Sequence, residues 1–242
     1  MISYQVVRVT PFAQNCRIFI NQEKKQAVVS DPGARADDIY TALHDSNIEL
    51  KAIIITHMHL DHVGGVARLH ELSNAKIYGS SIEDSPLLLS LDKQAKAFGL
   101  DNAPVFDTQY LKDGEIITPM HDFSLKVLST PGHTPGGVSY YCEKEKYVLT
   151  GDTLFEGSVG RTDFYLGNTD DLMLSIKEKL FTLPPETTVL SGHGPDTSIS
   201  DFVEKYAIRK CKKLKKTVKT ARERRFKTFP FFLSVIYYLI II

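Results

Sequence analysis

Apolar residues along this chain fall into short blocks of two periods, one suited to strands and one to helices. Residues 4–9, 16–20 and 26–30 alternate or cluster β-branched and aromatic side chains, and each block ends at turn-forming residues, the third at Asp31-Pro32-Gly33. Residues 53–55 are three isoleucines in a row, a run that water tolerates only when both faces of the strand are covered. Further strands are predicted over 76–78, 123–128, 138–142, 147–150 and 188–190, the fourth and third forming a hairpin across the charged turn 143–146. Between them lie helical spacings. Residues 37–45 carry Ile39, Ala42 and Leu43 on one face, and a helix over 63–72 has the glycine pair Gly64-Gly65 at its start, where it lets the backbone approach the neighbouring histidines closely. The stretch 86–98 spaces Leu87, Leu91 and Ala95 by four and stops at Gly99, and 169–183 places Leu172, Leu174, Ile176 and Leu180 among its apolar positions. Strands alternating with helices predict an α/β protein.

The polar residues that interrupt this pattern are not scattered. The isoleucine strand runs into Thr56-His57-Met58-His59-Leu60-Asp61-His62, so four candidate metal ligands stand within six residues. In extended chain His57 and His59 face the same side, and a following turn returns Asp61 and His62 to the same space. This is a loop constellation, distinct from the helical HExxH spacing. Three later strands end the same way. The strand over 123–128 leads to His133 in a loop bracketed by Pro131, Gly132, Pro135 and Gly136; the strand over 147–150 leads to Asp152; the strand over 188–190 leads to His193. Strand ends that all offer ligands imply one shared rim of a layered sheet structure. Asp31, at another strand end, is either a turn residue or a carboxylate that orients a ligating histidine.

Five imidazoles and two carboxylates exceed the needs of one tetrahedral ion. Two divalent ions fit better, with His57, His59 and His133 on one, Asp61, His62 and His193 on the other, and Asp152 bridging. Zinc is the first expectation, with iron or manganese compatible with the same donors. A water shared by two such ions becomes hydroxide near neutrality and attacks a polarised acyl carbonyl, with Asp61 and Asp152 as the carboxylates engaged in the chemistry. No GxSxG elbow and no Walker loop is present, which removes two rival chemistries.

Composition changes this picture at one end of the chain. The formal net charge is zero over 242 residues, but residues 1–203 hold 17 basic and 27 acidic residues, a net of −10, whereas residues 204–242 hold 12 and 2, a net of +10. The chain therefore divides into a main domain, 1–203, and a tail, 204–242. An acidic main domain is not expected to bind nucleic acid. The three cysteines, Cys16, Cys142 and Cys211, form no CxxC pair, and the first ten residues lack a signal-peptide pattern, so a cytoplasmic location is expected.

The motifs THMHLDH (56–62), PGHTPG (131–136), TGDTLF (150–155), GSVGRTD (157–163) and SGHGP (191–195), in this order over about residues 1–200, resemble those of the metallo-β-lactamase fold hydrolases. Within that family the chain looks like the glyoxalase II-like (hydroxyacylglutathione hydrolase) branch, and most like its short bacterial members. The resemblance implies a four-layered αββα sandwich with a binuclear metal site at the sheet edge. It also implies a small thioester substrate, S-lactoylglutathione or a related glutathione thioester. Arg161 stands where the family's longer members carry a lysine, and their helical C-terminal extension has no counterpart here. Arg161 suits a substrate carboxylate through paired hydrogen bonds, unless it is engaged by Asp163 in its own loop, and Tyr140 and Tyr165 are expected to line the pocket.

Two other functions compete. The related persulfide dioxygenases share THxHxDH and GRTDF but hold a single iron; their last motif tends towards Ala-His-Asp, whereas this chain has Gly192-His193-Gly194-Pro195. A membrane-associated binding protein is the third. Ala207, Cys211, Leu214, Val218 and Ala221 recur at helical spacing among lysines and arginines, a pattern that lies on anionic surfaces, unless the tail is an unselected extension. After Pro230 twelve mostly apolar residues follow; as a helix they reach ~18 Å, short of the ~30 Å needed to span a bilayer.

Overall fold

A computed structural model describes residues 2–204; the tail beyond Glu204, and every expectation placed on it, lies outside the described residues. The residues up to Phe202 form one compact unit. Its first half is a five-stranded mixed sheet in the order β1 (Ser3–Val9), β2 (Gln14–Asn21), β3 (Gln26–Ser30), β4 (Glu49–Ile54), β5 (Lys76–Tyr78). The first three strands are antiparallel neighbours, and β3, β4 and β5 run parallel. Parallel neighbours need crossovers, which α1 (Ala36–Asp45), α2 (Leu60–Val63) and α3 (Val66–Ser73) supply. Two further short helices follow, α4 (Ser85–Leu88) and α5 (Leu91–Phe98).

The second half is a six-stranded sheet. It contains β6 (Ile116–Met120), β7 (Phe123–Ser129), β8 (Val138–Cys142) and β9 (Tyr147–Gly151), then, after the small hairpin β10 (Leu154–Phe155) and β11 (Ser158–Val159) and the helix α6 (Thr169–Ser175), β12 (Thr188–Ser191) and β13 (Thr197–Ser198). Its order is β13-β12-β9-β8-β7-β6, with β12 and β9 parallel.

Side-chain alternation builds the layers. In β4, Leu50 and Ile53 face the helices α1, α3 and α5 with Ile39, Leu43, Leu69 and Leu91, whereas Ala52 and Ile54 face the other sheet. Between the sheets lie Phe19, Val28, Phe123, Leu125, Val127, Tyr140 and Leu149. On the outer face of the second sheet Val148 and Val189 meet Leu172, Ile176 and Leu180. Three apolar layers between four layers of structure make an αββα sandwich, as the sequence motifs imply. Ile53, Ile54 and Ile55 are fully buried, each contributing on the order of 1.5–3 kcal/mol of transfer free energy. Among the described residues no helix is long and apolar enough to cross a membrane.

Several expected elements are broken or extended. The predicted helix over 86–98 is two, because Leu89 is exposed and Ser90 leaves helical geometry before capping α5. The predicted helix over 63–72 begins earlier, as the single turn α2 carrying Asp61 and His62, and restarts at Val66. The helix over 169–183 ends at Ser175 and continues as one wide π turn, Ile176–Leu180. Strand β6 was not foreseen, because Pro119 and the break in register beside it obscure its alternation.

Candidate active site at the sandwich rim

All seven candidate donors converge on one rim. Three groups have donor atoms mutually within 4.8 Å: His57, His59 and His133; His57, His62 and Asp152; Asp61, His62 and His193. The turn α2 returns Asp61 and His62 towards the strand end that carries His57, and two glycines admit the close approach this requires. A Cβ on Gly33 would lie 1.6 Å from the Asp61 carbonyl oxygen, and one on Gly192 would lie 2.3 Å from Asp152 Oδ1.

Hydrogen bonds behind the imidazoles fix which nitrogen faces the cluster. Thr56 Oγ1 donates to Asp31 Oδ2 (2.8 Å), so the same oxygen accepts from His57 Nδ1–H (3.1 Å), and the lone pair of His57 Nε2 points inward. His62 Nδ1–H donates to Asp31 Oδ2 (3.2 Å), His133 Nδ1–H to the Arg161 carbonyl (2.7 Å) and His193 Nδ1–H to the Phe12 carbonyl (3.1 Å). Asp31, which also accepts from the Thr56 amide at 2.8 Å, thus orients two histidines as well as ending its strand.

This arrangement fits cations. His62 Nε2 and His193 Nε2, both bearing lone pairs, face each other at 3.3 Å, and His59 Nδ1 lies 3.0 Å from His133 Nε2. A tetrahedral ion with bonds of about 2.0–2.2 Å sets its donors about 3.3–3.6 Å apart. Asp152 Oδ1 and His57 Nε2 are buried without a hydrogen-bond partner. Asp152 Oδ1 lies 3.4 Å from His62 Nε2, while Asp152 Oδ2 lies 3.6 Å from both His133 Nε2 and His193 Nε2, which places this carboxylate between the two outer groups.

Electrostatics point the same way. Burial pushes His57 well below the usual imidazole range and His59 down to about 3, with neighbouring imidazoles adding to the effect; burial also lowers His133. These rings stay neutral at pH 7, the form that binds metal. For His62 burial acts downward, but Asp152 and Asp61 outweigh it and raise its affinity for a proton, marking a place that attracts positive charge. Burial acts upward on Asp152 and Asp61, and the adjacent His62 overrides it, holding both below the carboxylate range.

A cleft of about 480 Å³ opens over the cluster. Arg161 stands on its wall, with its guanidinium 3.8 Å over the Phe164 ring and paired in two 2.7 Å bonds to Asp163. The two expected tyrosines are elsewhere. Tyr140 is fully buried between the sheets, its hydroxyl donating to the Ile55 and Gly79 carbonyls, because its position in β8 shares the inward phase of Val138 and Cys142. Tyr165 is 71% exposed and its predecessor Phe164 occupies the wall instead.

Buried polar residues that sequence reasoning passed over hold the loops. Asp84 accepts from the Met58 and Gly136 amides and the Ser80 and Thr134 hydroxyls, tying the 56–62 loop to the 131–136 loop. Gln94 accepts from the Leu60 amide and donates to the Met58 and Leu87 carbonyls. Asn15 donates to the Ser191 and Gly194 carbonyls on either side of His193, and Arg17 donates to the Ser191 carbonyl. Gln94 had a signal, since it sits on the apolar stripe of its helix beside Leu91 and Ala95.

An αββα sandwich with this donor cluster on its rim is the architecture of the metallo-β-lactamase fold. The sequence profile described as "Metallo-beta-lactamase superfamily" matches residues 9–193, and the chain belongs to that superfamily. Over 200 residues it is 37% identical to hydroxyacylglutathione hydrolase GloC of Haemophilus influenzae, covering 82% of this chain and 93% of that protein, which supports the glyoxalase II-like branch. Two crystal structures are similar. BLEG-1 B3 metallo-beta-lactamase has a TM-score of 0.77 at 32% identity, covering 84% of this chain and 97% of the other; TTHA1623, in a di-iron-bound form, has 0.72 at 35%, covering 81% and 96%.

Proposed function

We propose that this protein is a binuclear metallohydrolase that cleaves thioesters, of which S-lactoylglutathione is the reference substrate. The observation that carries the reading is the second donor group, Asp61, His62 and His193, facing the first across Asp152. The single-iron dioxygenases share the donors of the first motif, so what favours two ions is this second group together with the Gly192-His193-Gly194-Pro195 setting of its last member, where those enzymes tend towards Ala-His-Asp. Similarity to a hydroxyacylglutathione hydrolase over most of both chains supports the thioester.

In this reading His57, His59 and His133 would hold one ion and Asp61, His62 and His193 the other, with Asp152 shared. Divalent ions there would supply a water of lowered proton affinity and polarise an acyl carbonyl. Asp61 and Asp152 would be the carboxylates beside the attacking water, orienting it as hydrogen-bond acceptors, its proton passing to solvent. The leaving thiolate needs little acid assistance, since thiols ionise near pH 8.5. Arg161 is positioned to bind a carboxylate of the thiol portion at the cleft rim, exchanging Asp163 for it. Metal analysis of the purified chain, combined with thioester hydrolysis, tests the proposal. Two zinc, iron or manganese ions with turnover of S-lactoylglutathione support it, and one iron with oxygen uptake on glutathione persulfide overturns it.

A further inference from the structure

The cleft above the cluster is walled by rings, and they form a continuous series. Phe12, in the turn between β1 and β2, meets Phe98 edge-on at 6.3 Å; Phe98, the last residue of α5, meets Phe164 edge-on at 5.6 Å; Phe164 meets His59 edge-on at 5.7 Å. On the other side Phe155 of β10 meets His193 edge-on at 6.3 Å. Leu100 and Val159 complete an apolar trough leading from solvent to the donors. Phe12 and Phe98 are 45% and 43% exposed, large for aromatic side chains that pack against each other at the mouth of a cavity. Area of that kind is covered when an apolar group lies in the trough.

Polar partners for a substrate are few on these walls. The Gln94 amide is committed to the Leu60 amide and the Met58 and Leu87 carbonyls. Among the described residues Arg161 is the one lysine or arginine lining the cleft, and it stands at the rim, paired to Asp163. Ser158, paired with Phe155 in the β10–β11 hairpin, adds one hydroxyl to the lining on that side; against Phe12, Phe98 and Phe164 a lactoyl hydroxyl would face rings.

We infer that the acyl portion of the substrate is apolar, a medium-length alkyl or aryl acyl group seated between Phe12, Phe98 and Phe164, so that the enzyme selects for acyl length over the short hydroxyacyl group. The inference rests on the thioesterase reading and refines its substrate class. Phe98 is then a specificity-determining residue. A fully buried methylene contributes about fourfold in affinity, about 0.8 kcal/mol.

Two measurements on the metal-loaded full chain separate this inference from the reading beneath it. The first is calorimetric binding of S-hexylglutathione against S-methylglutathione, which involves no hydrolysis; at least tenfold tighter binding of the hexyl compound is expected, and equal affinity overturns the inference. The second is kcat/KM across glutathione thioesters from acetyl to hexanoyl, with S-lactoylglutathione included. A rise of tenfold or more from acetyl to hexanoyl, carried by KM, is expected. Phe98→Ala should bring the hexanoyl-to-acetyl ratio towards one with metal content retained. A flat or falling series, or S-lactoylglutathione as the best substrate, overturns the acyl preference and leaves the hydrolase reading intact. Hexyl-selective binding without hydrolysis of any thioester overturns the hydrolase reading, and with it the assignment of the trough to an acyl group.

Discussion

Replacing Asn15 by alanine removes one amide group that holds both sides of the His193 loop. Its Nδ2 donates to the Ser191 carbonyl at 3.1 Å and to the Gly194 carbonyl at 2.8 Å, and the residue is 3% exposed. The main-chain bond from the Asn15 amide to the Gly192 carbonyl (2.7 Å) survives, and Arg17 Nη1 still donates to the Ser191 carbonyl at 2.7 Å. The loss is therefore two hydrogen bonds without a stranded buried acceptor at Ser191, about 1–3 kcal/mol in all. For a domain of this size that lowers Tm by roughly 2–12 °C. The larger effect is local. Groups that orient a metal ligand typically change affinity by about 10- to 100-fold, and here the loss falls on His193 alone. Chelator competition with zinc, fitted to two sites, should show one site retained and the other weakened by that factor. Thr56→Val is the counterpart, because it removes the hydroxyl between Asp31 and His57 Nδ1 and so weakens the first group. If Asn15→Ala weakens both sites equally, or leaves the weaker site unchanged while lowering Tm, the assignment of Asn15 to the His193 loop is refuted.

Tyr140→Phe should cost about 1–3 kcal/mol by urea denaturation, since it leaves the Ile55 and Gly79 carbonyls without their donor, while KM for any thioester stays within twofold; a changed KM would return Tyr140 to the substrate site. Arg161→Ala should raise KM for a carboxylate-bearing thioester several-fold with full metal content, and unchanged kinetics would remove Arg161 from binding. Chelation should lower Tm by roughly 16–32 °C when metal was present at about a thousand times the dissociation constant of each of two sites, a stabilisation of about 4 kcal/mol per site, checked by scanning fluorimetry with and without added zinc. Burial raises Asp84 to about 6 despite its four donors, above the unfolded value near 3.9, so its contribution is present below about pH 4 and is lost as pH rises through about 6. In metal-free protein the stability gap between wild type and Asp84→Asn should therefore widen from pH 7 to pH 4, by up to about 3 kcal/mol; a gap that narrows would contradict it.

The donor set was legible because its members are marked locally: each follows a strand and sits among glycines and prolines that permit an irregular backbone. The layers were legible in the unbroken isoleucines of β4, which require cover on both faces. The substrate wall was not. Phe12 comes from a turn and Phe98 from a helix end, and only the packed sandwich brings either to residues 57–62. Tyr140 shows a second limit. Alternation in β8 says that Tyr140 and Tyr141 point to opposite sides, but which side meets a sheet and which meets a helix depends on partners far away in sequence. Asp84 and Asn15 are read as ordinary polar residues until the loops they bind are known.

The donors are divided between the two halves of the sandwich. His57, His59, Asp61 and His62 follow β4 of the first sheet, while His133, Asp152 and His193 follow strands of the second, and His62 and His193 are 131 residues apart in sequence. A nascent chain that has emerged only as far as the first cluster holds histidines but no pocket; the group His57, His59 and His133 is complete once residue 133 is made, and the group Asp61, His62 and His193 only at residue 193. In the two-ion reading, a fragment truncated before β12 would offer the first group but not the second, so metal stoichiometry would be a readout of whether the domain was finished.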